Sequence, residues 1–134
     1  MKKIRYAVVG AGWISQEAFM PGVEQTGNSE MTAIVTGDMA KGKKLADFHG
    51  VKHIYSYEQY DVFLKAGVAD AVYIALPNSL HADYSIRASK AGLHSLVEKP
   101  LATTREECEA MIVAAEAGKV WLMTAYRLHN EPAT

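Results

Sequence analysis

The chain has very little cysteine and almost no net charge, and each scarcity excludes a class of protein. Cys108 is the only cysteine, which excludes an internal disulfide and fits a reducing compartment. A formal net charge of −1 gives no electrostatic reason to expect a nucleic acid or a membrane surface as partner. No apolar run approaches the roughly 20 residues of a membrane span, and no signal-peptide cleavage site follows Met1. We therefore expect a cytoplasmic protein without a nucleic-acid partner, a membrane partner or a metal site.

Strand-like and helix-like segments alternate along the chain without a linker, a repeat or a low-complexity segment. The strands are predicted at 4–9, 31–36, 53–55, 71–76, 95–98 and 120–124, and the helices at 13–25, 39–49, 57–66, 79–91 and 104–117. The strands are almost continuously apolar, which is typical of a parallel sheet covered on both faces. With 134 residues and 49% hydrophobic content, one domain can bury a core. The sequence predicts a doubly wound α/β fold, with residues 1–134 forming a single domain.

Chemical signals mark several of the predicted helix ends. Ser56 and Asn78 are predicted N-caps, and Thr104 with Glu107 is predicted to form a capping box. Gly118 stands where the last helix should stop.

The segment directly after the first predicted strand reads Gly-Ala-Gly-Trp-Ile-Ser, from Gly10 to Ser15. Gly10 permits a tight turn, Gly12 lets the backbone approach a pyrophosphate, and the N–H groups at Trp13 and Ile14 face the anion from the helix N-terminus. Ser15 replaces the third glycine of the usual G-x-G-x-x-G pattern and is small enough for close packing of helix on strand. An ordinary strand-to-helix turn is the alternative. The position of the motif favours dinucleotide binding.

Polar and ionisable residues follow the other strands as well, at the edge where ligands bind in such a sheet. Each group alone would be interpreted as a cap or a turn, but together they predict a ligand site. In chain order the groups are Thr36, Gly37 and Asp38; Leu76, Pro77 and Asn78; Glu98, Lys99 and Pro100; and Tyr126 and Arg127.

These motifs, with His81 three residues after Asn78, resemble the N-terminal nucleotide-binding domain of the glucose–fructose oxidoreductase/inositol dehydrogenase (Gfo/Idh/MocA) family. The resemblance covers essentially the whole chain and is strongest to the glucose–fructose oxidoreductase branch. It implies a Rossmann-type domain and hydride transfer between a nicotinamide cofactor and a sugar, a polyol or a related small molecule. It also implies that this chain is a fragment, that a second, substrate-binding domain is absent from it, and that the full-length protein forms a homo-oligomer. We expect no substantial activity from the fragment alone.

The resemblance also implies roles for individual residues. Lys99 would lie near the reacting hydroxyl and donate to the developing alkoxide or relay a proton, although an exposed lysine is the alternative interpretation. Glu98 would lie near the nicotinamide ribose or carboxamide, Asn78 near the cofactor, and His81 at the rim of the pocket. Tyr57 would lie at the adenine end, with core packing as its alternative. The predicted cofactor-binding set also includes Lys99 and is completed by Leu76, Pro77 and Arg127.

The end of the second strand bears on the choice of cofactor. NAD-specific sites usually carry an acidic side chain there, whereas Thr36 and Gly37 leave room and a hydroxyl for a 2′-phosphate. Lys41 adds positive charge in the first turn of the next helix. Asp38 is the opposing residue, unless an N-cap role occupies its carboxylate. The sequence predicts NADP, with NAD as the alternative. A dinucleotide-sensing relative without catalysis is the second functional hypothesis, and the presence of Lys99 favours the enzyme.

Overall fold

The computed structural model describes residues 3–10, 27–99 and 101–125, which form one parallel sheet with helices on both faces. Every pair of neighbouring strands is parallel. The strand order is β3-β2-β1-β4-β5-β6, which confirms the predicted doubly wound fold. The strands are β1 (Ile4–Val9), β2 (Ser29–Thr36), β3 (His53–Ser56), β4 (Ala71–Ile74), β5 (His94–Glu98) and β6 (Leu122–Ala125).

Four described helices connect these strands. They are α1 (Met39–His49), α2 (Tyr60–Lys65), α3 (His81–Lys90) and α4 (Arg105–Gly118), with single 3-10 turns at Tyr57–Gln59 and Asn78–Leu80. The predicted helix at 13–25 lies outside the described residues. None of the described helices is long and apolar enough to cross a membrane.

The core lies on both faces of the sheet because alternate strand residues point to opposite sides. On one face, Val8, Ile34 and Tyr73 pack with Ala46 of α1. On the other face, a larger cluster of strand side chains packs against α2, α3 and α4 and includes Val9, Val35, Ile74, Phe63 and Met111. Burial of a whole aliphatic or aromatic side chain contributes about 1.5–3 kcal/mol. Burial on both faces therefore explains why the strands are almost continuously apolar.

The sheet has its switch point at β1, which lies between β2 and β4. The chain winds outward from β1 through β2 to β3 and then returns to β4 on the other side of β1. In sheets of this kind the connections diverge at the switch point, and a crevice opens at the carboxyl ends of the strands. The fold therefore places the ends of β1, β2, β4 and β5 at the edge where a ligand binds.

The signals at the helix ends are only partly confirmed. Thr104 caps α4, because its hydroxyl accepts a hydrogen bond from the Glu107 N–H over 3.1 Å, and the Glu107 carboxylate accepts from the Thr103 N–H, also over 3.1 Å. The helix stops at Gly118, its last residue, as predicted, but Lys119 and not the glycine forms the left-handed cap, with φ 57°. A Cβ on Gly118 would lie 2.3 Å from the carbonyl oxygen of Ser89. This glycine therefore lets α4 pack closely on α3.

Candidate functional site at the carboxyl ends of the strands

Gly10 stands at the end of β1, where the backbones of three strands converge. Its N–H donates to the Val35 carbonyl over 2.9 Å. Its φ is +96°, and a Cβ there would lie 2.5 Å from the carbonyl oxygen of Ala75. Only glycine fits both this conformation and this approach. The residues that follow Gly10 lie outside the described ranges, so the tight turn stays a prediction. Gly12, Trp13 and Ile14 lie outside the described residues, so their contacts with a pyrophosphate stay a prediction.

Thr36, the last residue of β2, is buried beneath α1. Its hydroxyl oxygen accepts a hydrogen bond from the Asp38 N–H over 3.1 Å. Its methyl group faces Gly42 of α1, where a Cβ would lie only 2.6 Å away. Only 3% of Thr36 is exposed, so this threonine shapes the turn from below and leaves Gly37 and Asp38 on the surface.

Asp38 caps α1, as the sequence predicts. Its Oδ1 accepts a hydrogen bond from the Lys41 N–H over 3.1 Å. The first turn of α1 contains no acidic residue, and the side chain of Lys41 is exposed. The helix N-terminus therefore holds one oxygen of the Asp38 carboxylate, and the exposed side chain of Lys41 lies in the same turn.

Tyr57 packs directly against the turn after β2. A Cβ on Gly37 would lie 2.9 Å from Cε2 of the Tyr57 ring. The ring also makes an edge contact with Tyr84, with the centroids 6.2 Å apart. The pKa of Tyr57 is raised, mainly by burial and next by Tyr84, while a backbone hydrogen bond from Gly37 acts in the opposite direction. Tyr57 therefore forms a half-buried aromatic wall beside Gly37.

The turn after β4 is held from inside the protein by His81. The predicted place of His81 at the pocket rim is wrong, since only 1% of the residue is exposed. Its Nε2 lies 2.8 Å from the carbonyl oxygen of Leu76, so the ring N–H donates to that carbonyl. Leu76 is buried, whereas Pro77 and Asn78 are exposed at the edge of the sheet. His81 thus fixes the turn without reaching its surface.

Asn78 does not have the capping role that the sequence predicts. It is the first residue of the 3-10 turn, Pro77 is the N-cap of that turn, and no side chain caps it. Leu80 precedes α3 at its N-cap position, again without a side-chain hydrogen bond. The Asn78 side chain is therefore not used as an N-cap, and its approach to a cofactor stays a prediction.

Glu98 ends β5 and is half-buried, and exposed Lys99 follows it. The hydroxyl of Tyr73, on neighbouring β4, donates a hydrogen bond to the Glu98 carboxylate. The pKa of Tyr73 is raised, mainly by burial and then by the hydrogen bond to Glu98. The tyrosine therefore stays a protonated donor at neutral pH. Arg127 lies outside the described residues.

The strand order brings the predicted residues into one row. Gly37, Gly10, Leu76 and Glu98 follow or end β2, β1, β4 and β5, which are consecutive in the sheet. Sequence reasoning missed two residues that shape this row, Gly42 and Tyr73. A glycine inside a helix lowers the stability of the helix. Gly42 therefore signals a position where close packing requires a residue without a side chain. Tyr73 gave no signal beyond a polar hydroxyl in an apolar strand.

A concave region lies at the opposite, amino edge of the sheet, away from the candidate site. This depression has a volume of about 760 Å³ and is lined by Leu64, Asp70, Arg87 and His94, among others. Asp70 forms an ion pair with Arg5 over 2.9 Å, and Arg87 forms one with Asp61 over 2.8 Å. These charges are thus paired within the domain, and the amino edge lacks the row of strand-end turns. Among the described residues, no cluster of three or more His, Cys, Asp or Glu side chains could hold a metal ion.

Known proteins are similar in sequence to this chain over most of its length. D-xylose 1-dehydrogenase [NADP(+)] from Haloarcula marismortui is 37% identical over 131 residues, which are 97% of this chain and 36% of that protein. The NADP(+)-dependent scyllo-inositol 2-dehydrogenase from Bacillus subtilis is 34% identical and aligns with 92% of this chain and 37% of its own length. The chain thus spans little more than a third of the length of these relatives.

Solved structures agree with this comparison. An aldose-aldose oxidoreductase from Caulobacter crescentus, in complex with glycerol, matches with a TM-score of 0.89 and 38% identity over 94% of this chain and 38% of that chain. A 3-ketoreductase from Actinomadura kijaniata, in complex with NADP and TDP-benzene, matches with a TM-score of 0.90 and 31% identity over 98% of this chain and 39% of that chain. The family described as an oxidoreductase family with an NAD-binding Rossmann fold matches residues 4–126. The chain therefore belongs to the Gfo/Idh/MocA oxidoreductase family.

Proposed function

We propose that the chain is the dinucleotide-binding domain of a longer, two-domain oxidoreductase. Its reaction would be hydride transfer between NADP and a sugar, a polyol or a related small molecule. The observation that carries the proposal is the row of strand ends at the switch point, where Gly10 brings the β1 backbone against Ala75. The requirement for glycine at the end of β1 fits the first glycine of a dinucleotide-binding turn, and Gly12 is the position at which the backbone would approach the pyrophosphate. The NADP-dependent sugar and polyol dehydrogenases among its relatives support the same function.

We infer an extended pose for the dinucleotide along this row. The adenosine end would lie by Gly37, Asp38, Lys41 and Tyr57, and the pyrophosphate over Gly12, Trp13 and Ile14. The nicotinamide end would lie toward β4 and β5, near Glu98 and Lys99. The support is that the strands carrying these groups are neighbours in the sheet. Pro77, Asn78 and Arg127 would complete the binding surface, with Thr36, Leu76 and His81 shaping it from beneath.

Lys99 is our candidate for the catalytic residue. The bound nicotinamide would supply the acceptor or donor of the hydride. The Lys99 ammonium would donate a hydrogen bond to the developing alkoxide or help relay its proton. An exposed position after β5 suits a group that must reach substrate. A dinucleotide sensor without turnover would have no use for this proton transfer.

The proposed preference for NADP makes Lys41 the residue to test. NADPH should bind to the chain at least about tenfold more tightly than NADH, because a lysine–phosphate hydrogen bond contributes about 1.5–3 kcal/mol. Lys41→Ala should remove most of that preference by weakening the binding of NADPH and not that of NADH. Fluorescence titration with both reduced cofactors gives the four dissociation constants.

Lys43→Ala is the matched control, because Lys43 is exposed on the same helix and points about 200° away from Lys41. This variant should keep the wild-type ratio. Equal or tighter binding of NADH by the wild type, or an unchanged ratio in Lys41→Ala, would contradict the assignment.

Substrate recognition and oligomerisation belong to the longer protein in this proposal. The relatives are more than twice as long as this chain, and holding donor and acceptor together requires both parts of a site. We also propose a homo-oligomeric full-length protein and a cytoplasmic location. The single cysteine, Cys108, supports a reducing compartment.

A further inference from the structure

We propose that Tyr73 is a positioning residue that holds the Glu98 carboxylate toward the nicotinamide end of the bound dinucleotide. The inference rests on the proposed function and names how one part of that site is built. Tyr73 lies in β4, between β1 and β5, and is only 2% exposed. Its hydroxyl donates to the carboxylate of Glu98 across the strand pair. Tyr73 therefore connects the apolar core with the carboxyl edge of the sheet.

The register of the sheet explains how the two side chains meet. Tyr73 pairs with Leu96, so Glu98 lies two residues farther along β5 on the same face. The ring of Tyr73 belongs to the core cluster that contains Val8 and Ile34. Because the ring is packed in this cluster, the hydroxyl has a fixed position near the carboxyl edge.

The chemistry of the pair suits orientation of a ligand. A buried hydroxyl needs a hydrogen-bond partner, and the partner of Tyr73 is an acceptor-only carboxylate at the edge of the site. Hydrogen bonds to charged acceptors are stronger than neutral ones, so this bond limits rotation of the carboxylate. A fixed carboxylate can accept from the carboxamide N–H or the ribose hydroxyls of a nicotinamide riboside.

A second buried tyrosine, Tyr60, bonds to the backbone and not to a side chain of the candidate site. Tyr60 is fully buried, and its hydroxyl donates to the backbone carbonyl of Tyr84 over 2.9 Å. That bond joins two helices on the other face of the sheet. Tyr60→Phe therefore removes a buried hydroxyl and its hydrogen bond without touching Glu98. It is the matched control for Tyr73→Phe, which keeps the ring in the core.

The experiment compares two ligands on the same variants of this chain. NADPH contains the nicotinamide riboside, whereas adenosine 2′,5′-bisphosphate lacks it. Tyr73→Phe should raise the dissociation constant of NADPH about three- to tenfold, the effect of one such hydrogen bond, and change that of the bisphosphate less than about twofold. Tyr60→Phe should change the dissociation constant of neither ligand by more than about twofold.

A second variant tests the pair by changing Glu98, the acceptor of the hydrogen bond. Glu98→Gln should weaken the binding of NADPH to a similar extent. Adding Tyr73→Phe to Glu98→Gln should cause little further loss of NADPH binding, because the tyrosine acts through the carboxylate. Equal weakening of both ligands in Tyr73→Phe would show a merely structural role and overturn the inference. Unchanged NADPH binding would overturn it while leaving the proposed function standing. If the wild type binds neither ligand, the proposed function fails, and the inference fails with it.

Discussion

Replacing Gly10 with alanine should lower the free energy of unfolding by about 2–5 kcal/mol and abolish dinucleotide binding under conditions where the variant remains folded. Two costs combine: a side chain at φ +96° and a Cβ 2.5 Å from the Ala75 carbonyl oxygen. A left-handed conformation costs roughly 1–2 kcal/mol in a non-glycine residue, and overpacking costs typically 1–3 kcal/mol. Urea unfolding measures the first effect, and titration with NADPH measures the second.

Gly50→Ala separates these two costs. Gly50 caps α1 with φ +71°, and a Cβ there would meet nothing within 4 Å. This variant should lose only about 1–2 kcal/mol, the conformational cost, and should bind NADPH normally. Equal destabilisation by the two substitutions would show that the close approach of β1 to β4 is not what requires glycine at position 10.

Lys99→Ala should lower kcat by about 10²–10⁴-fold in any longer form of the protein that turns over a sugar or polyol. The range is the usual contribution of a positioned acid or base. The dissociation constant of NADPH should change less than about threefold, because the proposed role of Lys99 is in the chemical step. Steady-state kinetics and a separate binding titration give the two numbers.

Lys90→Ala is the control for charge, since Lys90 is an exposed lysine at the end of α3. It should leave kcat within about twofold of the wild type. A Lys99→Ala enzyme with near-normal kcat would contradict the catalytic assignment. A proportionate loss of NADPH binding would indicate a cofactor-binding role instead.

The fold could be predicted because burial on both faces makes each strand an almost unbroken apolar run. Residues 4–9 form β1 as predicted, and α1 has the predicted bounds of 39–49. The errors lie at element ends. β2 begins at Ser29, and β4 ends at Ile74 although the apolar run continues to Leu76, because the chain turns there to enter the site. Hydrophobicity marks the core, but backbone hydrogen bonds decide where a strand ends.

The candidate site could be predicted in position but only partly in side-chain detail. The residues after each strand were identifiable because parallel strands end at one edge. The sequence did not reveal that His81 turns inward to the Leu76 carbonyl or that Thr36 lies beneath Gly42. Nor did it reveal the contact of Tyr73 with Glu98. Those orientations depend on contacts with other elements, which local pattern does not encode.

An NMR titration of the ¹⁵N-labelled chain with NADPH shows directly whether the dinucleotide binds at the carboxyl edge of the sheet. The amide signals that shift should belong to this edge, at Gly10, Gly37, Lys41, Asn78 and Lys99. The amides that line the depression at the amino edge, Gly67, Asp70 and Gly92, should stay unchanged. No shifts at millimolar NADPH, or shifts confined to the amino edge, would contradict a dinucleotide site at the carboxyl edge.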